Sequence, residues 1–232
     1  SYPFVSCLDQ YPEVVEVRKE PEETTNFGGL WHTDTSYLEI PPLGSILYAL
    51  EVPPIGGDTL FANMYMAYDA LSDAMKNMLD GLYGVNSAER PSAASTRVDR
   101  IRDNPKEANT LVTTAIHPLV RTHPETGRKA LYVNRLMTDY IEDMDRAESD
   151  ALLQETYSHM ENTAFIYEHI WQPGDLLLWD NRCALHARTN FDPAHRRILR
   201  RMTVKGDVPY CCLLYTSPRP RDATLSRMPS SA

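Results

Sequence analysis

The feature that most constrains this chain is a succession of short apolar runs, several of them bounded by proline or glycine. Ser45-Ile46-Leu47-Tyr48-Ala49-Leu50-Glu51-Val52 and Asp58-Thr59-Leu60-Phe61-Ala62-Asn63 flank the turn Pro53-Pro54-Ile55-Gly56-Gly57. Further runs follow at residues 115–121, 130–134, 165–171, 176–179 and 198–204. Runs this short, rich in β-branched and aromatic residues, suit strands better than helices. His123-Pro124-Glu125-Thr126-Gly127-Arg128 reads as a hairpin connection, and Gln172-Pro173-Gly174-Asp175 as a second turn. Two segments depart from the pattern. Residues 66–82 carry Ala67, Leu71, Met75, Met78, Leu79 and Leu82 at helical spacing, with Gly84 as a stop. Residues 146–160 place Ala147, Leu152, Leu153, Tyr157 and Met160 near one helical face. Between these helices, residues 86–110 are polar and charged and read as a surface loop or lid. The expectation is a mainly β fold with helical insertions, a β-sandwich or double-stranded β-helix (jelly roll).

At 232 residues the chain fits one domain with room for a sizeable core. A net charge of −9 argues against nucleic acid or an anionic membrane surface as the main partner, while leaving a locally basic site for a small anion. No apolar run is long enough to cross a membrane, and no signal peptide is visible. Cys7, Cys183, Cys211 and Cys212 lack zinc-site spacing, which points to a reducing, cytoplasmic setting with Cys183 in the core. The start without Met reads as an N-terminal truncation of a domain spanning residues 1–210. Residues 211–232, rich in Pro, Ser and Arg, resemble a translated adapter sequence and are expected to be a non-native, disordered tail.

Chemistry enters with His32-Thr33-Asp34 and, far downstream, His186. On an extended backbone His32 and Asp34 share a face while Thr33 points away. Two imidazoles and one carboxylate, without thiolate, match the facial triad that holds non-haem Fe(II) and leaves positions open for cosubstrate and O2. Spacing alone does not exclude His117 or His169 as the third ligand, and an isolated His on an apolar strand is more often a satisfied core residue. Arg197 and Arg201 follow His186 and lie on one face of a strand, with Arg196 and Arg200 on the other.

His32-Thr33-Asp34, Gly56-Gly57-Asp58-Thr59, Asn181-Arg182 before His186, and Arg196-Arg197 together resemble the taurine dioxygenase family, which also contains 2,4-dichlorophenoxyacetate dioxygenase. Thr59 stands 27 residues after His32, and Arg197 stands 11 after His186. The resemblance runs to about residue 209. It implies Fe(II) held by His32, Asp34 and His186, with 2-oxoglutarate as cosubstrate gripped at its distal carboxylate by Thr59 and Arg197. Arg201 would anchor a small anionic organic substrate, a sulfonate, carboxylate or sulfate ester. Asp34 occupies the coordination position that halogenases leave for a halide, so hydroxylation is the expected outcome. Trp179, Asn134 and Tyr132 match family positions read as packing, and Asp180 is a candidate for orienting a ligand histidine. Gly28 stands where taurine-cleaving members often carry Asn, which argues against taurine itself. Two other readings stay open at this level: an inert metal-binding fragment, and a zinc hydrolase using the same three ligands. A homo-oligomer is compatible with the sequence.

Overall fold

The structure is a computed structural model that describes residues 7–21, 23, 28–95 and 113–211. The first strands, β1 (Cys7–Leu8), β2 (Tyr11–Lys19) and β3 (Gly44–Glu51), belong to one sheet, and β4 (Thr59–Asn63) begins another. Two helices follow, α1 (Met64–Asp69) and α2 (Asp73–Leu79), then β5 (Tyr83–Ser87) and α3 (Pro91–Ser95). The second half holds β6 (Thr114–Pro118), β7 (Val120–Thr122), β8 (Lys129–Leu131), β9 (Thr138–Ile141) and the long helix α4 (Arg146–Met160). It ends with β10 (Ile166–His169), β11 (Leu176–Asp180), β12 (Ala184–Arg188) and β13 (Arg197–Val204). A mainly β architecture with a few helices is therefore present, as the short apolar runs require.

Two sheets build the site. The larger has strand order β1-β2-β13-β3-β11, and the smaller β10-β4-β12. All their pairings are antiparallel, so side chains alternate between faces. In the larger sheet Leu47, Ala49, Leu177, Trp179 and Leu199 turn inward and form one apolar cluster with Phe61 of the smaller sheet. The Phe61 and Trp179 rings meet at 5.2 Å, so the two sheets share this layer. Neighbouring residues of the smaller sheet, Ala62 and Leu185, face the other way into a second core. There they meet Ala67, Leu79, Leu153, Tyr157 and Met160 of the helices and Val120, Ala130 and Leu131 of the β7–β8 hairpin. Packing the smaller sheet on both faces fixes its position, and β12 carries a predicted ligand on it.

Several expectations change in detail. The single helix expected over residues 66–82 is two helices, α1 and α2. Asn63 caps the first, accepting from the Tyr65 and Met66 backbone N–H groups, and Ser72 caps the second through Met75 N–H. Ser72 starts a new helix because its hydroxyl satisfies an amide that helix continuation would have bonded. The segment expected to be a loop from residue 86 includes the end of β5 and all of α3, while residues 96–112 lie outside the described residues. The tail expected over residues 211–232 lies outside them too, apart from Cys211. No helix among the described residues is long and apolar enough to cross a membrane.

Candidate metal and anion site

His32 and His186 are brought together by backbone, not by chance contact. They form an isolated antiparallel bridge, with His32 N–H bonded to His186 O at 3.0 Å and His186 N–H to His32 O at 2.8 Å. Their rings lie 4.1 Å apart. After this bridge the chain turns at once, so the two-residue alternation anticipated for a strand acts over one step only. It suffices: Asp34 joins the histidines, while Thr33 points away and donates to the Asn181 carbonyl at 2.8 Å. Ligand atoms of His32, Asp34 and His186 all lie within 4.8 Å of one another, and all three residues are buried.

The rival histidines are satisfied elsewhere. Nε2 of His117 contacts the Leu38 carbonyl at 2.9 Å, and Nε2 of His169 contacts Asp175 at 3.1 Å. His123 meets Asp180 at 3.0 Å, and His159 meets the Ala67 carbonyl at 2.7 Å. By contrast, His186 keeps Nδ1 buried without a hydrogen bond among the described residues. His123, Asp180 and Cys183 form a second cluster with ligand-like spacing. Arg182 already forks onto both Asp180 oxygens through Nε, and its NH2 reaches one of them at 2.6 Å. That group is an ion-pair network with no free ligand face. Asp180 thus orients His123 and Arg182, not a ligand histidine.

The electrostatics favour a cation at the triad. Burial holds the His186 imidazole down at about 3 and lowers that of His32 as well, so both rings are neutral at physiological pH. Neutral imidazole is the form that binds metal. His32 Nδ1 lies 2.7 Å from the Leu30 carbonyl; a carbonyl only accepts, so Nδ1 carries the proton and Nε2 keeps its lone pair. Burial opposes charge on Asp34, but the Arg201 guanidinium, the two neighbouring imidazoles and the Ser45 hydroxyl together outweigh it and hold the carboxyl well below the usual range. Arg201 donates to Asp34 Oδ1 at 3.1 Å, and Ser45 donates to Oδ2. Ser45 in turn accepts from Asn181, which accepts from the Trp179 indole at 2.8 Å. Two neutral imidazoles and a buried, charged carboxylate suit a divalent cation in donor type, charge and placement.

A second set of groups adjoins the triad. His32, His186, Thr59, Arg188, Arg197 and Arg201 line one pocket of about 50 Å3, with Arg201 turned onto Asp34. Thr59 lies across from Arg188 in the β4–β12 register, and Arg197 donates through Nε to the Gly57 carbonyl at 3.0 Å. Burial, with repulsion from Arg188, pushes the Arg197 guanidinium down to about 9. Such a cation is short of negative charge, and an anionic ligand would supply it. The turn before Thr59 is fixed by glycine. Gly56 has φ +73°, and a Cβ there would stand 2.3 Å from the Asn190 carbonyl oxygen.

All six predicted site residues therefore converge on this pocket or its wall. Arg201 differs from expectation in one respect: its guanidinium pairs with Asp34 instead of standing open to an anion. Sequence reasoning did not single out Ser45, Arg188 or Trp171. The alternation of the apolar runs puts Ser45 on an inward face, and that buried hydroxyl was the available signal. A larger cavity of about 540 Å3 lies beside the site, walled by Phe61, Tyr65, Phe165, Tyr167, Leu177 and Trp179. The one carboxylate on its wall, Asp180, is already held by Arg182, so the chemistry belongs to the smaller pocket.

Comparison with known proteins identifies the family. A profile of the taurine catabolism dioxygenase TauD, TfdA family matches residues 1–203. The alpha-ketoglutarate-dependent 2,4-dichlorophenoxyacetate dioxygenase of Cupriavidus pinatubonensis is 38% identical over 194 residues, covering 83% of this chain and 66% of that protein. The (S)-phenoxypropionate/alpha-ketoglutarate-dioxygenase of Sphingobium herbicidovorans is 36% identical over 179 residues, covering 76% of this chain and 62% of that protein. The crystal structure of a taurine dioxygenase from Burkholderia xenovorans superposes with a TM-score of 0.73 at 33% identity, covering 90% of this chain and 66% of that one. This chain thus spans somewhat less than two thirds of these relatives' length. Identity sustained over most of the chain, with a profile match from its first residue to within β13, places the chain in the TauD/TfdA family.

Proposed function

We propose that this chain carries the active site of an Fe(II)- and 2-oxoglutarate-dependent dioxygenase that hydroxylates a small anionic organic substrate. One observation carries the reading: His32 and His186 of the triad line the same pocket as Thr59 and Arg197, with Asp34 beside the two histidines, so a metal and a carboxylate can be held side by side. We also read the two facing sheets, orders β2-β13-β3-β11 and β10-β4-β12, as the double-stranded β-helix of such enzymes. His32, Asp34 and His186 would hold the iron, and Thr59 and Arg197 the distal carboxylate of 2-oxoglutarate. Together the metal and cosubstrate supply oxygen activation that turns a substrate C–H into C–OH.

The protein residues do the positioning. Arg197, fixed by the Gly57 carbonyl, offers its planar fork to a carboxylate. Arg201 and Ser45 keep Asp34 charged, ready to serve as a metal ligand. With a metal held by the triad, Arg201 would be available to the pocket as the anchor for the substrate's anionic head group. The Phe61 and Trp179 rings, 6.2 and 4.9 Å from the His186 ring, close the site's inner side against water. The zinc-hydrolase reading has no use for the Thr59/Arg197 pair, so the oxygenase reading is favoured. Its test is succinate formation by the Fe(II)-loaded protein with 2-oxoglutarate and a panel of sulfonates, aryloxyalkanoates and alkyl sulfates. Succinate that rises with one of these anions and vanishes in His186→Ala supports the proposal. Turnover of any substrate without 2-oxoglutarate would overturn it.

A further inference from the structure

Thr59 has a hydroxyl with a preset direction. Its Oγ1 accepts the Trp171 indole N–H at 2.9 Å, and both residues are buried. An indole N–H only donates. One side of the Thr59 oxygen is therefore filled as an acceptor, and its own proton must point elsewhere. Among the described residues that proton finds no protein acceptor, and Thr59 lines the pocket.

Trp171 is held firmly enough to impose this direction. Its backbone N–H reaches Asp58 Oδ1 at 3.4 Å, and its ring stands edge-on to His169 at 4.6 Å. His169 is itself held by Asp175 at 3.1 Å. The indole thus bonds Thr59 while the amide of the same residue bonds Asp58, which ties β4 to the chain leaving β10. From the other side, the Gly57 carbonyl occupies Arg197 Nε, and among the described residues neither terminal guanidinium nitrogen of Arg197, which lines the pocket, has a hydrogen-bond acceptor. Gly57, Asp58 and Thr59 consequently arrange an end of the pocket whose free groups only donate: the Thr59 O–H and the Arg197 fork. A carboxylate, which only accepts, matches this set; an ammonium or amide N–H does not.

We propose that Trp171 is a positioning residue for the distal carboxylate of the cosubstrate, acting by presetting the Thr59 hydroxyl as a donor. This rests on the 2-oxoglutarate reading above. Trp171 also packs in the apolar cluster around Leu199, so the test must separate orientation from packing.

A double-mutant cycle does so, read as binding to the Mn(II)-loaded protein by calorimetry. The probes are 2-oxoglutarate and 2-oxobutyrate, which keeps the chelating end and lacks the distal carboxylate. Trp171→Phe keeps an aromatic ring and deletes the N–H. It is expected to weaken 2-oxoglutarate by about three- to tenfold, as for one lost hydrogen bond, and to leave 2-oxobutyrate unchanged. In the Thr59→Val background the same change should alter 2-oxoglutarate binding less than about twofold. Equal weakening of both oxo acids, or an equal loss in both backgrounds, would show that Trp171 only packs. The unsubstituted protein gives a second measurement should Trp171→Phe not fold. On Zn(II)-loaded protein, the Trp171 indole proton resonance should move downfield with 2-oxoglutarate and not with 2-oxobutyrate. Identical responses to both overturn the proposal. If the folded, metal-loaded wild type binds 2-oxobutyrate and 2-oxoglutarate equally well, the distal-carboxylate reading itself fails, and this inference falls with it.

Discussion

Replacing Arg201 by Met should destabilise the metal-free protein strongly and the metal-loaded protein far less. Asp34 is 3% exposed and has two partners, Arg201 on Oδ1 at 3.1 Å and Ser45 on Oδ2. Without the guanidinium a buried carboxylate keeps one neutral hydroxyl as its support. The side chains of Arg201 and Asp34 are 8% and 4% exposed, so the near-zero worth of a surface pair does not apply here. Breaking a buried pair from one side costs about 3–5 kcal/mol. For a domain near two hundred residues each kcal/mol moves the melting temperature by about 2–4 °C, so a loss of roughly 6–20 °C is expected in EDTA. A divalent cation on Asp34 supplies the missing positive charge, and saturating Mn(II) should then remove more than about half of that deficit. The assay is thermal unfolding of wild type and Arg201→Met, each with EDTA and with Mn(II). Adding Asp34→Asn to Arg201→Met should restore much of the lost stability in EDTA, since no uncompensated charge remains. An equal deficit with and without Mn(II), or none in EDTA, would refute the idea that Arg201 stands in for the metal at Asp34.

The remaining predictions concern the cosubstrate end, one thiol and one turn. Arg197→Gln should raise the KM for 2-oxoglutarate by about 10- to 100-fold, the worth of charge-assisted hydrogen bonds, in a steady-state succinate assay; an unchanged KM would place the distal carboxylate elsewhere. Cys183, whose thiol burial and the nearby Asp180 push up to about 11 from an ordinary 9.0, should react slowly with iodoacetamide. A raised thiol pKa means less thiolate at every pH below it, about a hundredfold less at pH 8, so site-resolved mass spectrometry of the folded protein should find Cys183 protected until the pH approaches 11. Gly56→Ala puts a methyl at 2.3 Å from the Asn190 carbonyl oxygen on a backbone with φ +73°. It should cost more than about 1 kcal/mol in chemical denaturation and also weaken 2-oxoglutarate binding, because Arg197 is aligned by the adjacent Gly57 carbonyl.

How much of this was legible beforehand follows from how local each signal is. Four strands announced themselves because each lies within one apolar run: β3, β4, β11 and β13 fall within about a residue of the expected segments, whereas β2, β5 and β9 lie outside the expected runs. α4 occupies the predicted 146–160, since its Asp145 cap and its apolar spacing are contiguous in sequence. The break between α1 and α2 was missed because apolar periodicity ran through it while Ser72, a local competitor for backbone hydrogen bonds, stopped the helix. At the site, residue types and spacings indicated the ligands, but only tertiary contacts separate His186 from His117 and His169. The decisive fact is which imidazole is already satisfied: His117 by Leu38, 79 residues away, and His169 by Asp175 across a short turn. Likewise nothing along the chain links Ser45 to Asp34, Trp171 to Thr59 or Arg201 to Asp34. Those pairs are made by sheet register and by the packing of one sheet on the other. A strand alternation argument places Arg197 and Arg201 on one face and stops there; what each guanidinium touches is a property of the fold.

The central claim is that one pocket holds both the metal and 2-oxoglutarate. Its most direct test is an anaerobic titration of 2-oxoglutarate into the Fe(II)-loaded 232-residue chain, followed in the visible region. The account predicts a saturable metal-to-ligand charge-transfer band that is absent in His186→Ala and needs more 2-oxoglutarate in Arg197→Gln. A folded, iron-loaded protein that develops no such band would contradict it.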